Sequence, residues 1–75
     1  MMYDNDVFSV TLFDRKGNET YHTKIATFER VAEWLADKVL ERSASRAIVV
    51  GQHGQCGEAD LDAQYDRLVA EGYIH

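Results

Sequence analysis

Residues Thr27–Arg42, TFERVAEWLADKVLER, constrain this chain more than any other stretch. Phe28, Val31, Ala32, Leu35 and Val39 recur at spacings of three and four, so a helix gathers them into one apolar stripe. Thr27 offers an N-cap hydroxyl, and Ala26 with Val31 suits a small hydrophobic staple. A helix with one apolar stripe has to bury it against a second layer.

The preceding residues supply that layer. VFSVTLFD, Val7–Asp14, is rich in β-branched and aromatic residues and reads as a strand. RKGN, Arg15–Asn18, reads as a two- or four-residue turn centred on Lys16-Gly17, and ETYHTKI, Glu19–Ile25, as the return strand. This register pairs Leu12 with Tyr21, Val10 with Thr23 and Phe8 with Ile25, which puts the large apolar groups on one face. Ser9, Thr11, Phe13, Thr20, His22 and Lys24 share the other.

After RSASR, Arg42–Arg46, comes a short apolar strand, AIVVG, Ala47–Gly51, expected in the middle of the sheet. A glycine-rich loop follows, and then ADLDAQYDRLVAEGYIH reads as a second helix with Leu61, Tyr65, Leu68 and Val69 inward. Gly72 stands at C′, with Tyr73 folding back on Leu68. The expected fold is a single α+β domain spanning residues 1–75, in the order β-β-α-β-α. A small three-stranded, mostly antiparallel sheet has the long helix packed on one face, and the second, C-terminal helix lies beside it or at the sheet edge.

Composition narrows the function. Apolar residues make up 45% of the 75, enough for a folded domain but for a modest core. The single cysteine, Cys56, leaves no disulfide and suits a reducing compartment. The start MMYDNDVFSV lacks a basic n-region, and no apolar run is long enough to span a bilayer, so a cytoplasmic protein is expected. With 13 acids against 8 bases the net charge is −5, which disfavours direct binding to nucleic acid or to an anionic membrane.

VVGQHGQCGE, Val49–Glu58, resembles a site, with Gly51, Gly54 and Gly57 at every third position and His53 and Cys56 between them. A phosphate cradle would need a basic residue here, yet the following Glu58, Asp60 and Asp62 place carboxylates at the helix start, where they complement its dipole instead. Structural zinc needs four ligands, and beyond His53 and Cys56 the chain offers only His22 and His75. A Cys56 nucleophile would need an oriented base, and the nearby acids oppose thiolate formation. The stretch therefore reads as a flexible connection. No cofactor or metal is assigned, and a metal- or thiol-dependent protein using His53 and Cys56 is kept as an alternative.

The long helix carries a second pattern. Glu29, Glu33, Asp37 and Glu41 stand four residues apart in one acidic row, where like charges oppose the helix by about 0.2–0.5 kcal/mol per pair. Arg30 with Glu33, and Lys38 with Glu41, offer partial relief. The rise of about 6 Å per four residues is close to nucleic-acid backbone spacing. Such a row reads either as a solvated face or as a docking surface for a basic partner. Trp34 lies between the apolar and charged faces, either covering the edge of the core or serving as a binding anchor. Phe13, on the hairpin's outer face with Thr11 and His22, raises self-association through the hairpin as a further alternative.

A tiny acidic domain with a FERVAEWLADKVLE helix after a hairpin resembles, in style, the small proteins of phages and mobile elements, among them the anti-CRISPR inhibitors. The resemblance implies a non-enzymatic inhibitor that occupies the basic nucleic-acid-binding surface of a nuclease or surveillance complex. It assigns no residues. The partner-binding set expected from the helix itself is Glu29, Glu33, Trp34, Asp37 and Glu41.

Overall fold

A computed structural model describes residues 6–74. In chain order these form β1 (Val7–Phe13), β2 (Glu19–Ala26), α1 (Phe28–Glu41), β3 (Arg46–Gly51), β4 (Cys56–Asp60) and α2 (Leu61–Ala70). The sheet is antiparallel throughout, in the order β2-β1-β3-β4. The α+β class holds. The three-stranded sheet does not, because the residues read as a flexible loop and helix start pair with β3 as a fourth strand, with Ala59 opposite Ala47 and Gly57 opposite Val49.

One turn, used twice, makes both hairpins. In the first, the Asp14 N–H donates to the Asn18 carbonyl at 3.0 Å and the Gly17 N–H to the Asp14 carbonyl at 3.1 Å. In the second, the Gly51 N–H donates to the Gln55 carbonyl at 2.7 Å and the Gly54 N–H to the Gly51 carbonyl at 3.2 Å. Gly17 (φ 88°) and Gly54 (φ 83°) hold the left-handed position that closes such a loop. Each connection therefore has three residues, not the two or four expected for the first. The expected pairs Leu12–Tyr21, Val10–Thr23 and Phe8–Ile25 all form. A register shift between Leu12 and Phe13 absorbs the odd residue.

Both helices pack on the sheet face that carries Phe8, Val10, Leu12 and Ala47. α1 lies against β1 and β2, while α2 lies against β3 and α1. Val10, Val31 and Leu61 are fully buried, each contributing about 1.5–3 kcal/mol of transfer free energy. One core cluster gathers Leu12, Val39, Ala44, Ala47 and Leu61 between the helices; the other gathers Phe8, Val10 and Val31. Trp34 and Leu35 pack against both.

The buried stripe is narrower than expected. Val31 and Val39 are buried and Leu35 half-buried, but Ala32 is exposed and Phe28 is 64% exposed. The cause is α1's position over β1 and β2, which leaves its other flank beyond the covered part of the sheet. In α2, Leu61 is buried and Tyr65 and Leu68 pack inward, whereas Val69 faces solvent. The Gly72 stop forms as expected, with the Tyr73 N–H donating to the Leu68 carbonyl at 2.9 Å, but the Tyr73 side chain stays exposed.

The opposite sheet face presents Val7, Ser9, Thr11 and Phe13 of β1 beside Ile48 and Val50 of β3. Among the described residues no element covers it, and the short Cα extent of 15 Å fits a sheet and one helical layer.

Candidate functional site

The outward side of α1 holds the acidic row. Glu29, Glu33, Asp37 and Glu41 are all exposed. Lys38 Nζ reaches Glu41 Oε1 at 3.3 Å, the expected relief at that end. The expected Arg30–Glu33 pair does not form, and among the described residues no ion pair reaches Glu29, Glu33 or Asp37. Other cations are committed elsewhere: Arg15 and Arg42 to Asp62, and Arg46 to Glu58.

Trp34 seats this face on the sheet. Its ring stacks on Tyr21 of β2 with centroids 5.9 Å apart, and Lys38 Nζ stands 5.0 Å from its centroid. Trp34 is half-buried and Tyr21 53% exposed, so the pair forms the outer wall of the core along β2.

The row is not parallel to the helix axis. Each four-residue step advances about 40° around an α-helix. Glu29 and Glu33 stand three residues from Ala32 and Ala36, on the flank away from β2, while Glu41 drifts towards the Trp34–Lys38 side.

Along that first flank runs an apolar cleft of about 410 Å³, the size of a small-ligand pocket. Phe28, Ala32, Leu35 and Ala36 form one wall, and Val49 with Gly57 lies beneath. Phe8 joins the lining from β1, its ring edge-on to Phe28 at 5.8 Å. Gln64 of α2 contributes from the second helix, and among the described residues the only charged one in the lining is Glu58. Sequence reasoning missed this cleft. The available signal was the width of the apolar stripe, which extends past the side that Val31, Leu35 and Val39 bury.

The three glycines of VVGQHGQCGE have three separate uses. Gly54 closes the turn. Gly51 lies beneath Gln55, and Gly57 has open space where a Cβ would stand. The turn is tied to the start of β1 through the buried Asp6. Asp6 Oδ1 lies 3.2 Å from His53 Nε2, Gln55 Nε2 donates to Asp6 Oδ2 at 3.3 Å, and the Val7 N–H donates to Gln52 Oε1 at 2.9 Å. The Asp6 carbonyl also accepts the Thr27 N–H at 2.8 Å, linking this corner to the start of α1.

Cys56 is exposed and pairs with Val50 on the edge strand. Among the described residues no group of three or more His, Cys, Asp or Glu is placed to hold a metal ion, and His75 lies outside them. Asp60 caps α2, accepting the Ala63 N–H at 3.0 Å, and Asp62 stands in its first turn, whereas Glu58 belongs to β4 and not to the helix start. Among the described residues no helix is long and apolar enough to cross a membrane.

The chain matches no protein-family model, no curated protein and no solved structure.

Proposed function

We propose that this protein is a non-enzymatic interaction module that docks the outward face of α1 onto a basic surface of a partner protein, as an inhibitor of the anti-CRISPR type would. One observation carries the reading: Glu29, Glu33 and Asp37 are exposed, adjacent and without an ion pair among the described residues, although the chain has cations paired elsewhere. Adjacent carboxylates that repel one another weaken the helix, and their field attracts a cationic surface. A partner that normally grips a nucleic-acid backbone supplies cations at a comparable spacing, so the row occupies that surface in place of phosphates. In this reading Trp34 orients the row and borders the contact.

The test uses the immobilised protein and its Glu33→Arg/Asp37→Arg variant against a lysate of the native host. A specific partner is retained by the wild type, released by salt and lost with the double variant. That partner's affinity for nucleic acid then falls when the wild-type protein is added. Equal retention by both forms, or undiminished nucleic-acid binding, rejects the reading.

A second reading, self-association through the hairpin side of the sheet, is favoured by the uncovered face, where Val50 is 43% exposed opposite Ser9, with Thr11 opposite Ile48 and Phe13 further along β1. Sedimentation that stays monomeric at high concentration rejects it.

A further inference from the structure

We propose that the cleft between α1 and β4 receives the apolar side of a basic amphipathic helix, while Glu29 and Glu33 on its rim receive that helix's cations. The proposal rests on the acidic-face reading and adds what anchors the partner. Three features define the occupant.

The first is shape. The α1 wall runs from Phe28 to Ala36, about 12 Å along the helix axis, which spans roughly two turns of an occupant and its i, i+3/i+4 and i+7 side chains. Ala32 and Ala36 are small residues one turn apart on that wall, so a second helix can approach closely.

The second is charge. Among the described residues no cation lines the cleft and Glu58 is its one charged lining residue, while Glu29 and Glu33 stand one turn before the lining residues Ala32 and Ala36 on the same flank of α1. An aliphatic ligand without cations would leave that rim unused, and an acidic helix would be repelled.

The third is Gly57. It lies in strand conformation with nothing within 4 Å of a Cβ position, so neither backbone angle nor crowding requires glycine. A glycine inside a strand weakens it, and one use of such a glycine, beside bulges and bends, is to let another group approach the backbone closely. Here it keeps the floor of the cleft open.

The probe is a fluorescein-labelled peptide of about five helical turns. It carries leucine at i, i+3, i+4 and i+7 spacing and lysine elsewhere. A peptide of the same composition, reordered to break the period, is the control. By fluorescence polarisation the wild-type protein binds the amphipathic peptide at least about tenfold more tightly than the control. Gly57→Leu, which fills the floor, loses about tenfold for the amphipathic peptide while keeping its salt dependence. Glu29→Arg/Glu33→Arg weakens both peptides and flattens the salt dependence. Amide shifts on binding centre on Ala32, Ala36 and Gly57.

Equal binding of the two peptides, no effect of Gly57→Leu, shifts centred on Thr11 and Val50, or no binding at all overturns the cleft proposal. If both peptides bind equally and only the charge reversals matter, the cleft proposal fails and the acidic-face reading stands. If Gly57→Leu matters and the reversals do not, the acidic-face reading fails. A folded, monomeric Gly57→Leu protein by circular dichroism and sedimentation keeps these outcomes interpretable.

Discussion

Gly51 lies directly beneath the side-chain amide of Gln55. A Cβ built on Gly51 would stand 2.5 Å from Gln55 Oε1, 2.9 Å from its Cδ and 3.0 Å from Phe8 Cε1. Gln55 cannot move freely, because its Oε1 accepts the His53 N–H at 2.9 Å and its Nε2 donates to the buried Asp6 carboxylate. Gly51→Ala must therefore displace this network or the core ring of Phe8, at about 1–3 kcal/mol. For a domain of this size each kcal/mol corresponds to about 4–8 °C in melting temperature. Gly57→Val meets open space on a strand and is expected to leave stability unchanged or raise it by about 0.5 kcal/mol. Thermal denaturation of the two variants checks the opposite signs, and a destabilised Gly57→Val would show that the cleft floor is tighter than described.

The acidic row separates folding from binding. In Glu33→Arg/Asp37→Arg, the outer contacts with Glu29 and Glu41 change from repulsive to attractive, and the inner pair remains like-charged. The helix gains a few tenths of a kcal/mol, so melting temperature holds or rises, while affinity for a basic partner drops at least about tenfold. Raising salt should stabilise the wild type slightly by screening the repulsion and leave the variant unaffected or weakened. Scanning calorimetry at low and high salt reads this directly, and a variant that melts well below the wild type would make the row structural.

The first hairpin and α1 were legible because their patterns are dense. Phe8, Val10 and Leu12 alternate, so only one register buries all three, and Val31, Leu35 and Val39 repeat at helical spacing. β4 was not legible as a strand because Cys-Gly-Glu-Ala-Asp contains no β-branched or aromatic residue; its pairing with β3 makes it one. A clue was nevertheless present, since Asp14-Arg-Lys-Gly-Asn and Gly51-Gln-His-Gly-Gln place glycine at the same point of a five-residue turn. The cleft escaped for a different reason. Periodicity tells which side chains share a face but not whether the sheet residues beneath fill the space, and above Gly57 they do not, so Phe28 and Ala32 share the stripe without joining the core.

Thr27 begins α1 with φ 66° and ψ 144°, a region that a β-branched residue enters only under strain, costing about 1–3 kcal/mol. Its N–H donates to the Asp6 carbonyl, and its hydroxyl accepts the Arg30 N–H at 3.3 Å, which holds the conformation in place. Thr27→Gly relieves the strain and gives up only a few tenths of a kcal/mol of capping, so it should be more stable by about 1 kcal/mol. Thr27→Ala keeps the strain and loses the cap, and should be less stable by about 1 kcal/mol. Chemical denaturation of both variants tests the geometry, and equal destabilisation by Gly and Ala would show that the hydroxyl matters and the backbone angle does not.

Asp14 organises the first turn from its own side chain. Its Oδ1 accepts the Lys16 and Asn18 N–H groups, each at 2.9 Å, and Oδ2 lies 3.4 Å from Asn18 Nδ2. These bonds, the Asn18 N–H foremost, favour the ionised carboxylate and hold its pKa below the ordinary aspartate value of 3.8. A carboxyl whose pKa is lowered by folding stabilises the folded state above the unfolded-state value, and that contribution disappears as pH falls through the folded value. Asp14→Ala should therefore be less stable than the wild type at neutral pH, and the difference should close below the folded-state midpoint. Carboxyl titration by NMR locates that midpoint, and exchange of the Asn18 amide with solvent reports whether the turn loosens at the same pH. A stability difference that stays constant through the titration would show that the bonds to Asp14 do not depend on its charge.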